Sequence, residues 1–550
     1  MCPTVHYRSS HGANGTERAE GGTRAGPRGA RARGAGGAAH AHPARRARTH
    51  DRAPGRRGRD PPRRGRVRRV PRPGRRAAAR PSAAGPPPAA GCPMIELLGT
   101  VRLDLAEGLV LLIVGYGLVY FLWVQIAGAA LTRRERAHVR ATHEDPDRRR
   151  HDLFVLVPCR DEELVVEATT RALLAQDDSS VVVVIDDAST DRTAEIAGTV
   201  ARESDRVVVL RRRLPDARVG KGAALNAALD VVRSEVARRG LDPHLVVVGV
   251  MDADGQLSPG TTDLVGRLFD DDAVGGVQLQ VRIRNRQHFL TRVQDIGFWG
   301  TSAVAQMGRN QSRSVSLGGN GQFARLAALD SVDGPAWSDS LTEDLDLMIS
   351  LTVRGWDMRM TSLAHVEQEG PETVRALVRQ RTRWAQGHML CTGRSGEVFR
   401  SRKVRQSTAL ELLLYLWQPW LLALPWSVLA PALLVLAGYA VVEVGVQHGP
   451  LAAVGAVIAA YTLAFVPFLW GAWVYSRRSG NDGLLRSYWT HQGAYVLNLV
   501  TYVATWRALF RIALGRDSWA KTARVGRARR AATVPRGAQH LGGTTDPSGP

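Results

Sequence analysis

Two pairs of carboxylates close two of the most apolar runs in the sequence. Val181-Val182-Val183-Val184-Ile185 leads into Asp186-Asp187, and Leu245–Met251 leads into Asp252-Ala253-Asp254-Gly255. An Asp at the end of an apolar strand faces the mouth of a sheet, and paired Asp-x-Asp oxygens suit a hard divalent cation that keeps some of its water. Magnesium or manganese bridging a diphosphate there would neutralise the charge that develops on a leaving group. A solvated turn explains either pair alone. Two such pairs, each after a fully apolar run, favour the chemical reading.

Three further segments point the same way. Arg218-Val219-Gly220-Lys221-Gly222-Ala223-Ala224-Leu225-Asn226 is a small-residue loop opening a helix, where a phosphate can approach the backbone closely. Thr342-Glu343-Asp344 precedes an amphipathic helix through Leu345, Leu347, Met348 and Leu351. Alone it reads as a helix cap whose acids the dipole favours. Gln380-Arg381-Thr382-Arg383-Trp384 lies on a basic helical segment with Arg375 and Arg379, just before a long apolar run. Alone it reads as an interfacial helix with a lipid-facing Trp.

Short β-branched runs alternating with helical stretches must position these residues. Strands are predicted at Phe154–Val157, Val181–Ile185, Val207–Leu210, Leu245–Met251 and Val274–Gln280. Runs this uniformly apolar are buried on both faces, as in a parallel sheet flanked by helices. Ligands of such sheets bind beyond the carboxyl ends of the strands, where the paired acids lie. The α/β segment occupies roughly 150–400.

Four uncharged stretches flank or follow it: Gly108–Thr132, Leu412–Val442, Gly449–Ser476 and Ser487–Trp506. A span needs about 20 predominantly apolar residues, so the first three qualify and the fourth, with His491, Gln492 and Asn498, is the weakest. We therefore expect a transmembrane helix at 107–132, membrane helices within 408–515, and a multi-pass protein of the cell membrane. Arg133, Arg134, Arg136 and Arg140 after the first span put the following domain in the cytoplasm. A fourth crossing would carry the basic 507–530 segment outside, against that rule. Either the fourth stretch is interfacial or re-entrant, or the Pro-broken 412–442 stretch (Pro419, Pro425, Pro431) conceals an extra crossing.

The net charge of +23 sits in the tails. Residues 1–93 hold 22 Arg, no Lys and four acids, residues 516–550 hold seven basic and two acidic residues, and the 422 residues between carry 45 of each sign. The excess therefore describes two tails, and no nucleic acid is expected on the folded part. The Arg/Gly/Ala/Pro-rich 1–93 stretch has too few large apolar side chains to fold, and we expect a disordered tail. Met94, followed by the amphipathic Ile95-Glu96-Leu97-Leu98, is the expected true start. Four cysteines (Cys2, Cys92, Cys159, Cys391), none in a CxxC pair, exclude a disulfide scaffold and a zinc ribbon.

The ordered set Asp-Asp, Asp-x-Asp, Thr-Glu-Asp and Gln-x-x-Arg-Trp, framed by apolar spans, resembles the membrane-integrated, inverting family 2 glycosyltransferases, which include cellulose, hyaluronan and chitin synthases. The resemblance implies a GT-A fold: an α/β, Rossmann-like mixed sheet with flanking helices, here joined to transmembrane helices. Carried over residue by residue, it implies that Asp186 and Asp187 contact the nucleoside of a sugar-nucleotide donor, with a UDP-hexose as the expected donor. It implies that Asp252 and Asp254 hold Mg2+ or Mn2+, and that Lys221 touches a donor phosphate. Asp344 would be the general base, Gln380 and Arg383 the pyrophosphate contacts, and Trp384 the platform under the acceptor sugar. Val157-Pro158-Cys159-Arg160-Asp161-Glu162-Glu163 resembles the family's Pro-x-x-Asn-Glu-Glu opening, with Asp161 in place of Asn. Gly318-Gly319-Asn320-Gly321-Gln322-Phe323 departs from the Gly-x-Cys or Gly-x-Gly of cellulose and hyaluronan synthases, and looks more like β-glucosyl diacylglycerol or curdlan-type synthases.

The implied activity is transfer of a hexosyl group to a membrane-proximal acceptor. A growing polysaccharide is the first expectation, and single transfer to a lipid to give glucosyl diacylglycerol is the alternative. A non-catalytic, nucleotide-binding membrane scaffold is a third, which retention of every carboxylate disfavours. A polymer channel built from so few spans would call for a homo-oligomer.

Overall fold

The computed structural model describes residues 105–141, 150–479 and 483–516. The expectations for 1–93, for Met94 and for nearly all of 516–550 lie outside the described residues.

Eight strands form one mixed sheet in the order β3-β2-β1-β4-β7-β6-β8-β5. They are β1 Asp152–Cys159, β2 Val181–Asp187, β3 Val207–Arg212, β4 Val246–Val250, β5 Gln256–Leu257, β6 Val274–Ile283, β7 Gln322–Arg325 and β8 Asp357–Gln368. β1 pairs in parallel with β2 and β4, and β2 with β3. β7 runs antiparallel to both β4 and β6, which breaks the parallel order. The five predicted strands are all present. The sequence reading passed over β5, β7 and β8; the buried apolar runs β1–β4 are parallel as expected, and the sheet as a whole is mixed, as the resemblance implied. β8 carries Asp357, Arg359, His365 and Glu367 among its twelve residues, so its apolar signal is weak.

Side chains alternate across the sheet because successive residues of a strand point to opposite faces. Phe154, Leu156, Val181, Val183 and Ile185 meet Leu225, Leu229 and Val232 of helix α4 (Lys221–Arg239) on one face. Leu153, Val155, Val157, Val182 and Val184 meet Val166 of α2 (Val166–Leu174), with Ala197 and Val200 of α3 (Thr193–Glu203), on the other. Each fully buried Val or Leu contributes about 1.5–3 kcal/mol, so the uniform apolar runs hold the sheet between its two helical layers. The polar ends of those runs are left at the sheet's carboxyl edge.

Helix α1 spans Leu105–Ala141. A second helical run spans Gln406–His448, made of α7 (Gln406–Gln418), a π-helical turn at Pro419–Ala423 and α8 (Leu424–His448). The windows Glu107–Arg136 and Gln406–His448 are long and apolar enough to cross a membrane, and nearly all of their side chains stay out of the core. The prolines at 419, 425 and 431 lie within this continuous helical run, and Pro419 opens its π turn. Helix α9 follows at Pro450–Ser479. The fourth apolar stretch is broken: a short helix at Leu484–His491 ends before α10, Ala494–Ala513.

Helix α1 is keyed to the α/β domain by close contacts. A Cβ on Gly128 would lie 1.8 Å from Val304 O, and one on Gly308 would lie 2.1 Å from Val124 O, so only glycine lets these backbones cross. Glu135, near the far end of α1, accepts from Thr361 Oγ1 at 2.7 Å and from the Ser362 N–H at 2.8 Å. The buried guanidinium of Arg309 donates to Glu411 of α7 at 2.7 and 3.2 Å, and Tyr120 of α1 donates to the same carboxylate at 2.8 Å. Ser314 also donates to Glu411, and Arg309 stacks over Tyr415, 3.7 Å from its centroid.

Truncating one partner of a buried pair strands the other charge. Glu411→Ala is therefore expected to cost about 3–5 kcal/mol. The check is the thermal unfolding midpoint of the detergent-solubilised protein; a midpoint equal to that of the unsubstituted protein would refute the role of this cluster.

Candidate active site

One cavity of about 2910 Å³ opens along the carboxyl edge of the sheet and continues between the apolar helices. Its wall takes Asp161 after β1, Asp187 from the end of β2, Lys221 at the start of α4, and Asp252 and Asp254 after β4. It also takes Gly318–Asn320, Glu343 and Asp344 at the start of α5 (Glu343–Val353), and Gln380, Arg381, Arg383 and Trp384 of α6 (Val374–Cys391).

At the strand-β2 end, Asp187 is a paired carboxylate. It accepts from the Arg212 guanidinium and from the Arg218 N–H at 3.1 Å. Asp161 accepts from the Thr190 N–H at 2.8 Å and its hydroxyl at 3.0 Å. Asp161, Ala188 and Arg218 all hold positive φ, at 55°, 57° and 65°, a conformation that non-glycine residues adopt mainly where surrounding contacts enforce it. Asp186 does not join the cavity wall. Its Oδ1 accepts from the Ser189 N–H at 3.1 Å and so caps the turn locally.

The centre is built around Gly319. A Cβ there would lie 3.1 Å from Lys221 Nζ, 3.4 Å from Asp344 Oδ2 and 3.9 Å from Glu343 Oε1, so these three side chains surround one backbone position. Lys221 Nζ donates to Asp252 Oδ1 at 2.8 Å and to Gly319 O at 2.6 Å. Burial pulls the ammonium down, but Asp252, Glu343 and Asp344 outweigh it and raise Lys221 above the ordinary lysine range. Burial, and then the adjacent Asp344 carboxylate, push Glu343 up to about 7 against the pull of Lys221 and Arg383. Burial raises Asp344 as well, opposed by the Leu345 N–H, which its Oδ1 accepts at 2.8 Å. Two carboxyls this close do not both ionise at the usual carboxylate pH.

Asp252 and Asp254 lie on the same turn but are held differently. The Asp252 N–H donates to Asn320 Oδ1 at 3.1 Å, while Asp254 Oδ2 accepts from the Glu369 N–H at 3.2 Å. Gln278 fixes Asn320 from below, donating to its carbonyl at 2.9 Å and accepting from the Gly318 N–H at 2.7 Å. Sequence reasoning missed Gln278, Gln368 and Asn320 as supports. The first two sit on polar positions of interior strands, a signal that only a known sheet order makes readable.

On α6, Arg383 Nη1 reaches Leu341 O at 3.4 Å, beside the carboxyl pair. Trp384 stands edge-on to Phe298, with ring centroids 6.1 Å apart. The Arg381 guanidinium lies over both rings, 4.7 Å from the Trp384 centroid and 5.2 Å from that of Phe298. The structure thus brings Lys221, Asp252, Asp254, Asp344, Gln380, Arg383 and Trp384 to one cavity with Asp187, and leaves out Asp186.

Residues 151–387 match the family model described as glycosyltransferase like family 2. A β-monoglucosyldiacylglycerol synthase from Nostoc sp. is 34% identical over 246 residues, covering 42% of this chain and 48% of that protein. A poly-β-1,6-N-acetyl-D-glucosamine synthase from Staphylococcus aureus is 26% identical over 236 residues, covering 42% and 53%. The chain spans about half the length of these relatives. Among solved structures, a mannosyltransferase from Pyrobaculum calidifontis in complex with GDP-Man and Mn2+ aligns with 75% of this chain and 98% of its own, at 18% identity and a TM-score of 0.45. The matched segment, residues 151–387, is thus similar to family 2 glycosyltransferase domains and forms most of the mixed sheet with flanking helices.

Gly319 is the backbone position that the charged side chains of the site surround. Gly319→Val would press a branched side chain between Lys221 and Asp344, and displacements of this size cost about 100-fold in rate. The expected result is loss of nucleotide release from the sugar donor with an unchanged circular dichroism spectrum; unaltered turnover would refute the crowding.

Proposed function

We propose that this protein is an inverting hexosyltransferase of the cell membrane, multi-pass, with its α/β domain on the cytoplasmic side. It moves a sugar from a nucleotide donor to an acceptor hydroxyl presented at the membrane. The observation that carries this reading is the gathering of Lys221, Asp252, Glu343 and Asp344 around Gly319, in a cavity that runs from the strand ends into an apolar groove.

The donor diphosphate lies within reach of Lys221, Gln380 and Arg383, which supply charge-assisted hydrogen bonds to the leaving group. Asp187 is the carboxylate at the nucleoside end. Asp252 and Asp254 offer hard oxygens on one turn, a set that fits Mg2+ or Mn2+ completed by phosphate oxygens and water. When bound, the ion supplies positive charge to the departing diphosphate. Asp344 takes the proton from the acceptor hydroxyl as that oxygen attacks the anomeric carbon from the face opposite the diphosphate. A single displacement inverts the anomeric configuration and needs no enzyme-bound sugar. The raised carboxyl pair keeps the base matched to neutral pH.

A growing glycan resting on Trp384 is the first acceptor. A single lipid hydroxyl is the second, favoured by one observation: beyond Trp384 the cavity wall becomes Val114, Gly117 and Leu118 of α1 with Leu422, Trp426 and Leu434 of the second run. Chromatography of the products separates one glycolipid from a polymer.

Asp344→Asn is expected to lower transfer by about 10²–10⁴-fold while nucleotide-sugar binding, read by calorimetry, persists. Retained turnover would remove Asp344 from the base role. The base must be ionised, and burial raises Asp344 above the ordinary carboxylate range, so turnover is expected to fall on the acid side at a pH higher than a free aspartate would give. Glu343→Gln removes a like charge and should move that acid limb to lower pH; a limb that stays in place would detach the pH profile from this pair.

A further inference from the structure

Arg381 is a charged residue of the cavity wall that the reaction above does not use. Helix α6 carries four arginines (Arg375, Arg379, Arg381, Arg383) and no acid. Arg375 and Arg379 are exposed, and Arg383 faces the Glu343–Asp344 pair. Arg381 lines the cavity, yet among the described residues it donates no hydrogen bond and meets no carboxylate. Its guanidinium rests on Phe298 and Trp384, and burial alone pulls it down to about 10. Stacking on aromatic faces recovers part of the lost hydration of a cation, but leaves its N–H edges without acceptors. A planar fork fixed between two rings is already oriented for two parallel hydrogen bonds to an anion.

The place of Arg381 in the cavity narrows what that anion is. On one side, two positions along the helix, Arg383 reaches Leu341 O next to the proposed base. On the other, the wall turns apolar along α1 and α8. Phe298 stands at this border, on the π-helical turn Ile296–Ser302, whose Thr301 carbonyl accepts from Gln125 of α1 at 3.1 Å. A molecule filling the cavity therefore has a hydroxyl at the acidic end, an anion at Arg381 and an apolar body among the helices. That order of groups is the order along a phospholipid whose headgroup ends in a hydroxyl.

We propose that Arg381 binds the phosphate of a phosphate-bearing lipid acceptor, whose acyl chains lie in the groove between α1 and α8. This rests on the glycosyl-transfer reading and specifies its acceptor, whether one sugar or several are then added. Trp384 then supports the headgroup and holds the guanidinium, in addition to any sugar it meets.

The test uses the full chain in detergent micelles, with the nucleotide sugar and divalent ion that give nucleotide release. Dioleoyl phosphatidylglycerol and dioleoylglycerol are offered at equal concentration; they share acyl chains and a free hydroxyl and differ in the phosphate. The unsubstituted protein is expected to use the phospholipid about tenfold better in kcat/KM, and Arg381→Gln to bring that ratio near one, chiefly through KM. Arg381→Lys, which keeps the charge without the fork, is expected to restore part of the ratio. Dioleoyl phosphatidate has the phosphate but no hydroxyl. It should compete with the acceptor in the unsubstituted protein and much less in Arg381→Gln, while inorganic phosphate at the same concentration does not compete. A ratio at or below one, or a ratio untouched by Arg381→Gln, overturns the proposal. Competition by inorganic phosphate as strong as by phosphatidate overturns the lipid assignment. Nucleotide release with product on the neutral lipid alone defeats only this inference, whereas no release with any donor and acceptor defeats the glycosyl-transfer reading beneath it.

Discussion

Managing negative charge is the constraint on which the rest of this site depends. The turn after β4 brings Asp252 and Asp254, and the start of α5 brings Glu343 and Asp344, to one cavity, which on the proposed reading also admits a diphosphate. In the protein alone, the ammonium of Lys221 holds these loops together. It bonds Asp252 and the Gly319 carbonyl, and its charge is felt by both acids of α5. The cost of burying that lysine is offset by three carboxylates, and the cost of burying the acids is offset in part by the lysine. Removing any one member leaves the others mismatched, which is why glycine at 319 is the filling the cluster tolerates: it adds a carbonyl acceptor and no volume.

The cavity has two ends with different mechanical origins. The end proposed to take the donor is set by the sheet, because Asp161, Asp187 and Asp252 lie at the carboxyl ends of β1, β2 and β4, and β1 is hydrogen-bonded to both of the others. The end proposed to take the acceptor is set by the long apolar helices. The π-helical segment that bears Phe298 is tied to α1 through Gln125, and Asp295 just before it accepts from Tyr475 of α9 at 2.7 Å. Helix α6 is tied to the C-terminal helix, where Arg511 of α10 donates to the buried Gln386 at 2.7 Å. A shift of α1 or α9 would therefore move Phe298 against Trp384 while the strand-end carboxylates stayed in place.

This division explains what could be read from the residues alone. The strands that place the donor end are continuous β-branched runs, and an Asp at the end of such a run has one plausible direction to face. The parallel half of the sheet and Asp187, Asp252 and Asp254 were legible for that reason. Asp186 was not, because adjacent residues of a strand face opposite ways and the run cannot say which Asp looks into the cavity. β7 is four residues long and β8 is studded with charge, so neither shows period-two apolar alternation. Gln368 of β8, which accepts from Asn320 Nδ2 at 3.0 Å, went unseen with its strand, and Gln278 is a lone polar position on β6, which was read as an apolar run. Arg381 occupies a variable position of a recognised motif, and its meaning depends on Phe298, which lies 83 residues away in sequence.

The same division bears on how one scaffold can serve several acceptors. Changing the donor end means altering residues that hold one another by charge, and each substitution there leaves a buried partner uncompensated. Changing the acceptor end means altering apolar contacts among helices, or a single side chain such as Arg381 that no other protein group needs for its own neutralisation. A residue stacked on two rings can be exchanged at modest cost to folding, because the rings keep their own contact. On the proposed reading, acceptor recognition falls where the structure is least coupled to the chemistry, on a different helix from Asp344 but two positions from Arg383, which faces the carboxyl pair.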